Sequence, residues 1–592
     1  MLKALRPLEI FFYDRNLRMG VFGLQFLFLF SSLFELLGIS SIGPLFYILT
    51  SGADSLGNEN LLRVYEFLDP PSFRVFAIYL SAISIFAILL GGFFSISSFI
   101  LLTRLATYGG VYLGNRLFSH YLTKDWVFFQ SAKKSRIINE IYQETSRVTE
   151  NILVPALMIN KAAYLTFFIL LLLLFINWQL TSIFFLTLAS LYLVIFLFLK
   201  NGLNRNSEAL TEAHEGRFKF LDETFLSIKE IHIWNNKKIF LDGYNSASIK
   251  WSKALRNNMQ SANLPRFFIE TFILLTISSL ALVAYLNSSI NISTLLPTYS
   301  IFIFSALKLL PALQQIYNGG ATIAGNRFSL LNLHKVLNTN TFSSNKDIPI
   351  SANIKSIELQ NIDFSYEKNT FQLSDISFKA DTGQIIGITG FSGGGKSTML
   401  DILMGLLRPE QGMVLINGDP VDIYENLSWF RAISYLPQKI NILNENIIEN
   451  IKFSDDPEED LQKLKIIEKQ SNITEFFNSD NLESSLEVFP RNLSGGQVQR
   501  LGIARALYRD TNVLFFDEPT SALDNLNKHH FIQEMMKFKT DKIIFIVTHD
   551  VEVLKHTDQV LIMDNGSFEF SGNYENALLN SKILQKLLLE DA

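Results

Sequence analysis

The chain has 592 residues, of which 48% are hydrophobic and 52 are phenylalanine, and its formal net charge is −5. This length exceeds that of one compact domain, and the acidic balance gives no basic signature for a nucleic-acid partner. The absence of cysteine excludes disulfides, thiolate metal sites and cysteine-protease chemistry.

The composition changes sharply near residue 336. Long apolar runs precede this point and an alternating α/β pattern follows it, while the polar segment Asn338–Ser351 is typical of a linker. We therefore expect a multi-domain chain. Its predicted parts are an all-α transmembrane domain over 1–337, a linker over 338–353 and an α/β domain over 354–592.

The first part contains runs long enough to cross a bilayer, which needs about 20 apolar residues. Its N-terminal segment is basic and the loop Ser51–Ser72 is acidic, which predicts a cytoplasmic N-terminus and an outside loop. An even number of spans then returns the α/β domain to the cytoplasm. The six predicted spans are about Val21–Leu49, Phe76–Thr103, Ile152–Ile176, Leu180–Leu199, Phe267–Leu286 and Leu295–Leu313.

The connections between spans differ in length. Those on the cytoplasmic side are long and charged with helical periodicity, so they predict stalks whose tips, Ser135–Val148 and Glu223–Ile239, dock on the α/β domain. On the outside, Glu59–Leu68 has an apolar and a charged face. It predicts either an interfacial helix at the outer leaflet or a loop helix packed on the spans.

Ionisable residues inside spans are costly and indicate function by default. Lys308 lies in the inner half of the sixth span, Arg266 at the inner end of the fifth with Glu270 one turn later, and Lys161 near the inner part of the third. Together they predict a site for an anionic head group. The alternative, favoured for Arg266 and Lys161, is that these side chains snorkel to the cytoplasmic interface.

In the second part, a glycine-rich run follows the apolar segment Ile385–Thr389 and precedes a helical pattern over Ser397–Leu407. It matches the phosphate-binding pattern G-x-x-x-x-G-K-[ST], in which backbone N–H groups surround phosphates. We expect Lys396 to reach the β- and γ-phosphates and Ser397 to hold Mg²⁺. The predicted nucleotide-binding residues here are Gly390, Ser392, Gly393, Gly394, Gly395, Lys396, Ser397 and Thr398.

An acidic pair ends the apolar strand Val513–Asp517 further along the chain. Asp517 is predicted to bind Mg²⁺ and Glu518 to act as the general base on the attacking water. Gln438 is expected to reach Mg²⁺ and the water, and His549 the γ-phosphate. Tyr366, 24 residues before Gly390, is expected to stack on adenine.

A second glycine-containing turn begins a helical run and predicts a second anion site. It comprises Ser494, Gly495, Gly496 and Gln497. Because the chain already has one phosphate loop, this second loop suggests a site shared between two chains. Ser521–Asp524 is expected to lie at that contact.

In their order and spacing these motifs resemble the ATPase domain of ABC transporters over nearly all of Ile357–Lys586. With six preceding spans, the whole chain resembles a half-size ABC exporter. This resemblance implies ATP and Mg²⁺ as cofactors and a homodimer with two ATP sites. One departure lies at Ser484–Asn492, where the glycines of a T-x-V-G-E-x-G-like stretch are missing.

The membrane half resembles bacterial flippases of lipid-linked oligosaccharides, on Leu264–Glu270 and Leu307–Pro311. This implies an inner-membrane protein with a cytoplasmic ATPase domain that moves a polyprenyl-(pyro)phosphate-linked oligosaccharide. Three alternatives remain. They are a general lipid or drug exporter, a peptide secretion transporter, disfavoured by the short segment before the first span, and an ATPase that uses its spans only as an anchor.

Overall fold

The computed structural model describes residues 11, 14–52, 55, 59–286, 292–339, 347–351, 353–366, 372–453, 461–473 and 493–591. Within the helices, some of the side chains are not described. The chain divides into two compact units. The first contains Met1–Lys124 and Ser131–Thr341, and the second contains Asp125–Gln130 and Phe342–Ala592. The predicted boundaries at 337 and 353 remain a prediction, and the stretch Ser484–Asn492 lies outside the described residues.

The first unit is built from helices. Within the described residues, four of them are long and apolar enough to cross a membrane, over Arg15–Ile48, Phe73–Leu122, Lys134–Ile176 and Ser300–Leu337. The helices are Arg15–Ser51, Glu59–Leu68, Phe73–Leu122, Trp126–Ser131, Lys134–Asn139, Thr145–Val148, Val154–Ile176, Trp178–Leu226, Ile228–Trp234, Lys237–Leu286 and Ile292–Leu337, with π-helical turns at Glu140–Glu144 and Thr149–Leu153.

The predicted spans Leu180–Leu199 and Phe267–Leu286 lie inside the helices Trp178–Leu226 and Lys237–Leu286. Several of their side chains are not described. The number of six spans therefore stays a prediction, whereas the helical, membrane-spanning character of this unit is confirmed.

The first predicted stalk tip is wrong in position. Ser135–Val148 is helical and π-helical, and it packs back against the helix Phe73–Leu122. The short helix Trp126–Ser131 interrupts the chain earlier, and Asp125–Gln130 groups with the second unit. The tip was misplaced because the hydrophobic periodicity is the same in both legs of the stalk, so it does not show where the chain turns. The second predicted tip contains a short helix, Ile228–Trp234.

Buried polar side chains join the helices of the first unit where the apolar runs end. The Arg147 guanidinium donates to Asn326 Oδ1 and to Thr211 Oγ1, each at 2.8 Å. The buried Glu140 carboxylate accepts from Tyr121 and, at 2.9 Å, from Arg136 Nε. Because an unpaired buried charge costs several kcal/mol, these pairs fix which helices meet.

The external helix Glu59–Leu68 packs on the spans. Leu61 is buried in a cluster with Ile48 and Phe76, and Tyr65 contacts the Phe76 ring edge-on at 5.0 Å between centroids. Phe67, on the other side, is 87% exposed. The apolar face of this helix is therefore packed on the spans, which was one of the two predicted alternatives. The side chain of Phe67 is open to a membrane or substrate contact.

The second unit contains a four-stranded antiparallel sheet, in the order β2-β1-β4-β5, and a six-stranded sheet, in the order β10-β9-β3-β8-β7-β6. In the larger sheet β6, β7, β8, β3 and β9 are parallel and only β10 is antiparallel. The strands are β1 Ser356–Ser365, β2 Gln372–Asp381, β3 Ile385–Gly390, β4 Gln411–Ile416, β5 Asp419–Pro420, β6 Ile433–Leu436, β7 Val513–Asp517, β8 Ile543–Val547, β9 Gln559–Asp564 and β10 Ser567–Gly572.

One face of the parallel sheet packs on the antiparallel sheet and the helix Lys396–Leu403, and the other packs on helices that include Gly495–Tyr508 and Asn525–Phe538. Because both faces are covered, its strands are continuous apolar runs. β3 and β8 are fully buried along their whole length. The helices of this unit are Lys396–Leu403, Leu427–Ala432, Ile447–Lys452, Leu461–Ser471, Gly495–Tyr508, Asn525–Phe538, Val551–Leu554, Tyr574–Asn580 and Lys582–Asp591, with a 3-10 turn at Lys539–Asp541.

Candidate functional site

The carboxyl ends of four adjacent parallel strands carry the predicted catalytic residues. Gln438 follows β6 by two residues, Asp517 ends β7, and His549 follows β8 by two residues. The glycine loop leaves β3 at Gly390. Parallel strands in register end at one edge, which is where open α/β sheets bind ligands. The fold therefore brings together residues that are more than 100 positions apart.

The glycine loop has a backbone that only glycine accommodates. Gly390 has φ +140°, and a Cβ there would lie 2.1 Å from the carbonyl oxygen of Met563. Gly393 and Gly395 also have positive φ, and Gly395 is the residue before the helix Lys396–Leu403. These glycines turn the chain so that the N-terminus of the helix faces outward at the sheet edge.

Lys396 is held beneath this loop by backbone carbonyls. Its ammonium donates to Gly390 O at 2.8 Å and to Phe391 O at 2.9 Å. Burial lowers the pKa of Lys396, while the negative charges of Glu518 and Asp517 act in the opposite direction. A cation in this position, adjacent to outward-facing N–H groups, suits a phosphate chain. Ser392 and Ser397 are exposed at the loop and at the first helical turn.

The acidic pair lies beside this lysine. Burial, together with the charge of Glu518, raises the pKa of Asp517 to about 6. Glu518 has φ +49°, and its N–H bonds Val547 O at 2.8 Å, which fixes the turn after β7 to the end of β8. Two neighbouring carboxylates in a half-buried site form a strong attraction for a cation.

His549 faces this pair. Its Nε2 lies 3.6 Å from Glu518 Oε1, too long for a hydrogen bond. Burial and the charge of Lys396 lower the pKa of His549, so the imidazole is neutral near pH 7. A neutral imidazole can accept or donate a hydrogen bond at this edge. Gln438 is exposed on the same edge.

Tyr366 lies next to the first helical turn after the glycine loop. Its hydroxyl is 3.4 Å from Thr398 Oγ1, and its ring meets Phe364 edge-on at 5.0 Å. The ring is 39% exposed. An aromatic face that is exposed beside a phosphate loop is suited to stack on a base.

The second glycine turn forms the start of a 14-residue helix, Gly495–Tyr508. Ser494 Oγ accepts from Gln497 N at 3.3 Å, and Gln497 Oε1 accepts from Ser494 N at 2.8 Å, which is a capping box. A Cβ on Gly496 would lie 3.2 Å from Ala522 O, so the segment Ser521–Asp524 packs against this turn. Ser494 and Gly495 are exposed.

Two residues of the second unit were missed from the sequence. Gln499 Nε2 donates to Glu518 O at 3.1 Å and ties the helix Gly495–Tyr508 to the acidic pair. The Asp401 carboxylate accepts from the Trp126 indole at 3.2 Å, and burial raises its pKa to about 6. The available signal for Asp401 was a lone acid among the apolar residues of Met399–Leu403.

In the first unit, both predicted substrate residues have a carboxylate partner. Arg266 Nε lies 2.6 Å from Glu270 Oε1 one turn away, as predicted. Lys308 Nζ lies 3.1 Å from Glu35 Oε2 on the helix Arg15–Ser51. Lys161 donates to the hydroxyl of Ser95 at 2.8 Å and to its carbonyl at 3.2 Å.

Glu35 was also missed from the sequence. It is a lone carboxylate at the centre of the predicted span Val21–Leu49, which was a usable signal. Its partner could not be inferred because the two residues are 273 positions apart.

These residues fit a nucleotide with Mg²⁺. A glycine loop with no room for a Cβ at Gly390, a buried lysine and a carboxylate pair match phosphates and a cation. The described residues contain no group of three or more His, Asp or Glu side chains that would hold a metal by themselves. Mg²⁺ is usually held by one or two carboxylates together with substrate phosphates, so Asp517 and the Ser397 hydroxyl suit it.

Two family models match the chain. The model described as "ABC transporter transmembrane region" matches residues 22–307, and the model described as "ABC transporter" matches residues 373–521. The first range covers most of the first unit, and the second contains the glycine loop, Gln438, the second glycine turn and the acidic pair.

Curated relatives of the chain are named for different substrates. The chain is 27% identical over 419 residues to the "Lactococcin-G-processing and transport ATP-binding protein LagD" of Lactococcus lactis subsp. lactis, a match that spans 69% of this chain and 59% of that protein. It is 24% identical over 483 residues to the "ATP-dependent lipid A-core flippase" of Saccharophagus degradans, spanning 80% of each. The relatives therefore include a protein named for processing and transport of lactococcin G and a lipid A-core flippase.

Among solved structures, the fold is similar to that of a bacterial Atm1-family ABC exporter with ATP bound. The TM-score is 0.78 at 19% identity, over 98% of this chain and 99% of that chain. At this identity the likeness concerns the fold alone, and it extends over both units. The chain belongs to the ABC transporters, with a transmembrane region and an ATPase domain fused in one polypeptide, and it couples ATP hydrolysis to export.

Proposed function

We propose that this transporter flips an amphipathic lipid with a phosphate or pyrophosphate head group, in particular a polyprenyl-(pyro)phosphate-linked oligosaccharide, across a bacterial inner membrane. The observation that carries this proposal is the set of charged side chains inside long apolar helices, above all Lys308 with Glu35. Charges inside spans are kept where they serve a substrate or an ion. A lipid with an anionic head group needs both the apolar helices and the cations.

The proposed ATP site uses the residues at the sheet edge in the roles that their geometry suits. Lys396 and the loop N–H groups bind the phosphates, Ser397 and Asp517 hold Mg²⁺, and Glu518 accepts the proton of the attacking water. Gln438 and His549 orient the water and the γ-phosphate. Tyr366 stacks on adenine.

The proposed working unit is a homodimer. The Ser494–Gln497 turn is exposed and anion-binding by its backbone, yet one chain already has its own phosphate loop. In a dimer each turn completes the partner's nucleotide site, so that ATP closes the two ATPase domains together. Trp126, bonded to Asp401 next to the nucleotide helix, is the proposed route by which closure is transmitted toward the stalks.

This function is tested in liposomes with a fluorescent polyprenyl-pyrophosphate oligosaccharide. ATP-dependent movement of the probe between leaflets is measured for the wild type, for Glu518→Gln and for Lys308→Ala. We expect loss of movement in both variants with ATPase activity retained in Lys308→Ala. A wild type that hydrolyses ATP without moving the probe would reject this substrate.

The second candidate is peptide export, which the similarity to LagD favours. A general lipid or drug exporter is the third. Peptide-stimulated ATPase activity and uptake of labelled peptide into inverted vesicles would distinguish peptide export. Movement of uncharged amphiphiles that is independent of Lys308 would favour the general exporter.

A further inference from the structure

Three charged side chains from three different helices form one polar layer inside the membrane unit. Glu35 and Lys308 form an ion pair at 3.1 Å, and Lys161 is held by Ser95 on a fourth helix at 2.8 Å. Ser95 lies one helical turn after Gly91, which packs on the backbone of Glu35, so the contact of Lys161 with Ser95 brings the three charged residues to one level of the unit. Each lies within a predicted span.

The helices approach closely at this layer. A Cβ on Gly91 would lie 3.2 Å from the backbone nitrogen of Glu35, so the helix of Ser95 and the helix of Glu35 are in direct contact. The Glu35 side chain is 15% exposed and that of Lys308 is 53% exposed. The carboxylate is therefore enclosed by protein, whereas its cationic partner is open to a ligand.

The cluster carries two positive charges and one negative charge. Glu35 neutralises Lys308, and in the described part of the chain no carboxylate lies within ion-pair distance of Lys161, whose contacts are a hydroxyl and a carbonyl. Arg266 differs because it is paired within its own helix by Glu270 at 2.6 Å. The net positive charge of this layer therefore lies with Lys161.

We propose that Lys161 and Lys308 form the binding site for the anionic head group, and that Glu35 is an internal counter-ion which the phosphate of the substrate displaces from Lys308. The inference rests on the proposed lipid substrate and deepens it by assigning the head-group site. Lys161 attracts the phosphate first because its charge is not neutralised. Lys308 joins when its bond to Glu35 opens.

The competing carboxylate has a functional consequence. An unpaired lysine in a span is costly, so Glu35 stabilises the empty transporter. The same carboxylate weakens head-group binding and restores the ion pair when the substrate leaves. Neutral Glu35→Gln is therefore expected to bind the head group more tightly and to release it more slowly.

The test measures binding of a polyprenyl pyrophosphate, and of the matching neutral polyprenol, to the full-length protein in nanodiscs. Half-saturating concentrations come from stimulation of ATPase activity and from retention of radiolabelled lipid. Glu35→Gln is expected to lower the half-saturating concentration of the pyrophosphate about tenfold, and Lys161→Met to raise it about tenfold, since close charge pairs contribute at this level. The neutral polyprenol should show neither shift.

A matched control uses another Lys–Glu pair of the same unit. Lys219 and Glu223 lie 3.6 Å apart and are both half exposed on the helix Trp178–Leu226. Glu223→Gln and Lys219→Met should leave the half-saturating concentration unchanged. Thermal unfolding of each variant checks that it is folded. The double variant Glu35→Gln/Lys308→Met removes the ion pair as a whole and retains Lys161 as the cation of the cluster.

The outcomes separate this inference from the proposed function. If the wild type flips the oligosaccharide but Glu35→Gln and Lys161→Met bind the pyrophosphate as the wild type does, the head-group site is rejected and the function stands. If the wild type does not flip it, but binds polyprenyl pyrophosphate in a manner that depends on Glu35 and Lys161, the site stands and the substrate is rejected. Tighter binding of the neutral polyprenol by Glu35→Gln would also contradict the charge mechanism.

Discussion

The two charged regions of this transporter balance their charges in opposite ways. At the ATP site, Lys396 is held by carbonyl oxygens, and the carboxylates Asp517 and Glu518 lie side by side with a raised pKa for Asp517. In the membrane unit, Lys308 and Arg266 each have a carboxylate partner at 3.1 Å and 2.6 Å. One region keeps its charges for a ligand, whereas the other pairs two of its three cations within the protein and holds Lys161 through Ser95.

The difference follows from the surroundings. Water at the sheet edge solvates unpaired charges, so the site tolerates the repulsion between the Asp517 and Glu518 carboxylates. Binding of Mg²⁺ with the nucleotide would relieve this repulsion. Inside a span an unpaired charge has no such compensation, so the protein supplies carboxylates to Lys308 and Arg266 and oxygen acceptors to Lys161. A ligand adds its charges at the first site, whereas at the second it must compete for a partner. The following predictions test this contrast, from the largest expected effect to the smallest.

The first concerns the base at the ATP site. Glu518→Gln is expected to lower the ATPase rate of the full-length protein about 100- to 1,000-fold, because general-base catalysis contributes at this level. Phosphate release in liposomes measures the rate. Glu552→Gln is the matched control, since Glu552 lies three residues past His549 and its carboxylate is 3.4 Å from His529 Nε2. A Glu518→Gln enzyme within threefold of the wild type would contradict the assigned role.

The second concerns the ion pair in the membrane. Lys308→Met alone is expected to destabilise the folded protein by about 3 kcal/mol, because it leaves the enclosed Glu35 carboxylate without its partner. Glu35→Met/Lys308→Met together should cost under about 1 kcal/mol, since both charges are removed. Unfolding of the purified protein in detergent measures both. Equal losses of unfolding free energy in the single and the double variant would show that Lys308 does not stabilise the protein by pairing with Glu35.

The third concerns the pH dependence of the ATPase unit. The pKa of Asp517 is raised from 3.8 to about 6 by burial and by Glu518, so between these values the folded form binds more protons than the unfolded form. Its contribution to stability is therefore lost as the pH rises through that window. Without nucleotide, Asp517→Asn should be about 1 kcal/mol more stable than the wild type at pH 7.5, after discounting for solvent exposure.

The measurement is thermal unfolding of the full-length protein between pH 4 and 8. Asp401 also has a pKa raised to about 6 by burial, so it should retain part of the pH dependence in Asp517→Asn. A stability difference that is the same at pH 4.5 and pH 7.5 would contradict this explanation.

The smallest effects concern two helix caps, one in each unit. Ser494→Ala removes the hydroxyl that accepts from Gln497 N in the capping box, and it should destabilise the nucleotide-free ATPase unit by about 1 kcal/mol. Ser72 caps the helix Phe73–Leu122 through one longer contact of 3.4 Å, so Ser72→Ala should cost less, about 0.5 kcal/mol. Chemical unfolding followed by circular dichroism compares them. A larger loss for Ser72→Ala would reverse the expected order.

Most of the ATP site was predictable because each of its parts is a short local pattern. The glycines determine the turn at Gly390, and the apolar strands β3, β7 and β8 place their ends at one edge once they are read as parallel. The stalk was less predictable. The turn at Trp126–Ser131 was placed about ten residues too late because both legs of the stalk have the same helical periodicity.

The sequence by itself determined the helical membrane region, the α/β ATPase domain and the residue types at the phosphate loop, since backbone conformation and hydrophobic periodicity are local properties. Only the tertiary structure decided which charges meet. Glu35 contacts Lys308 across 273 residues, and Gln499 reaches the Glu518 carbonyl across 19. Such pairs depend on which helix faces pack together, and packing is decided by the whole set of side chains rather than by any one segment.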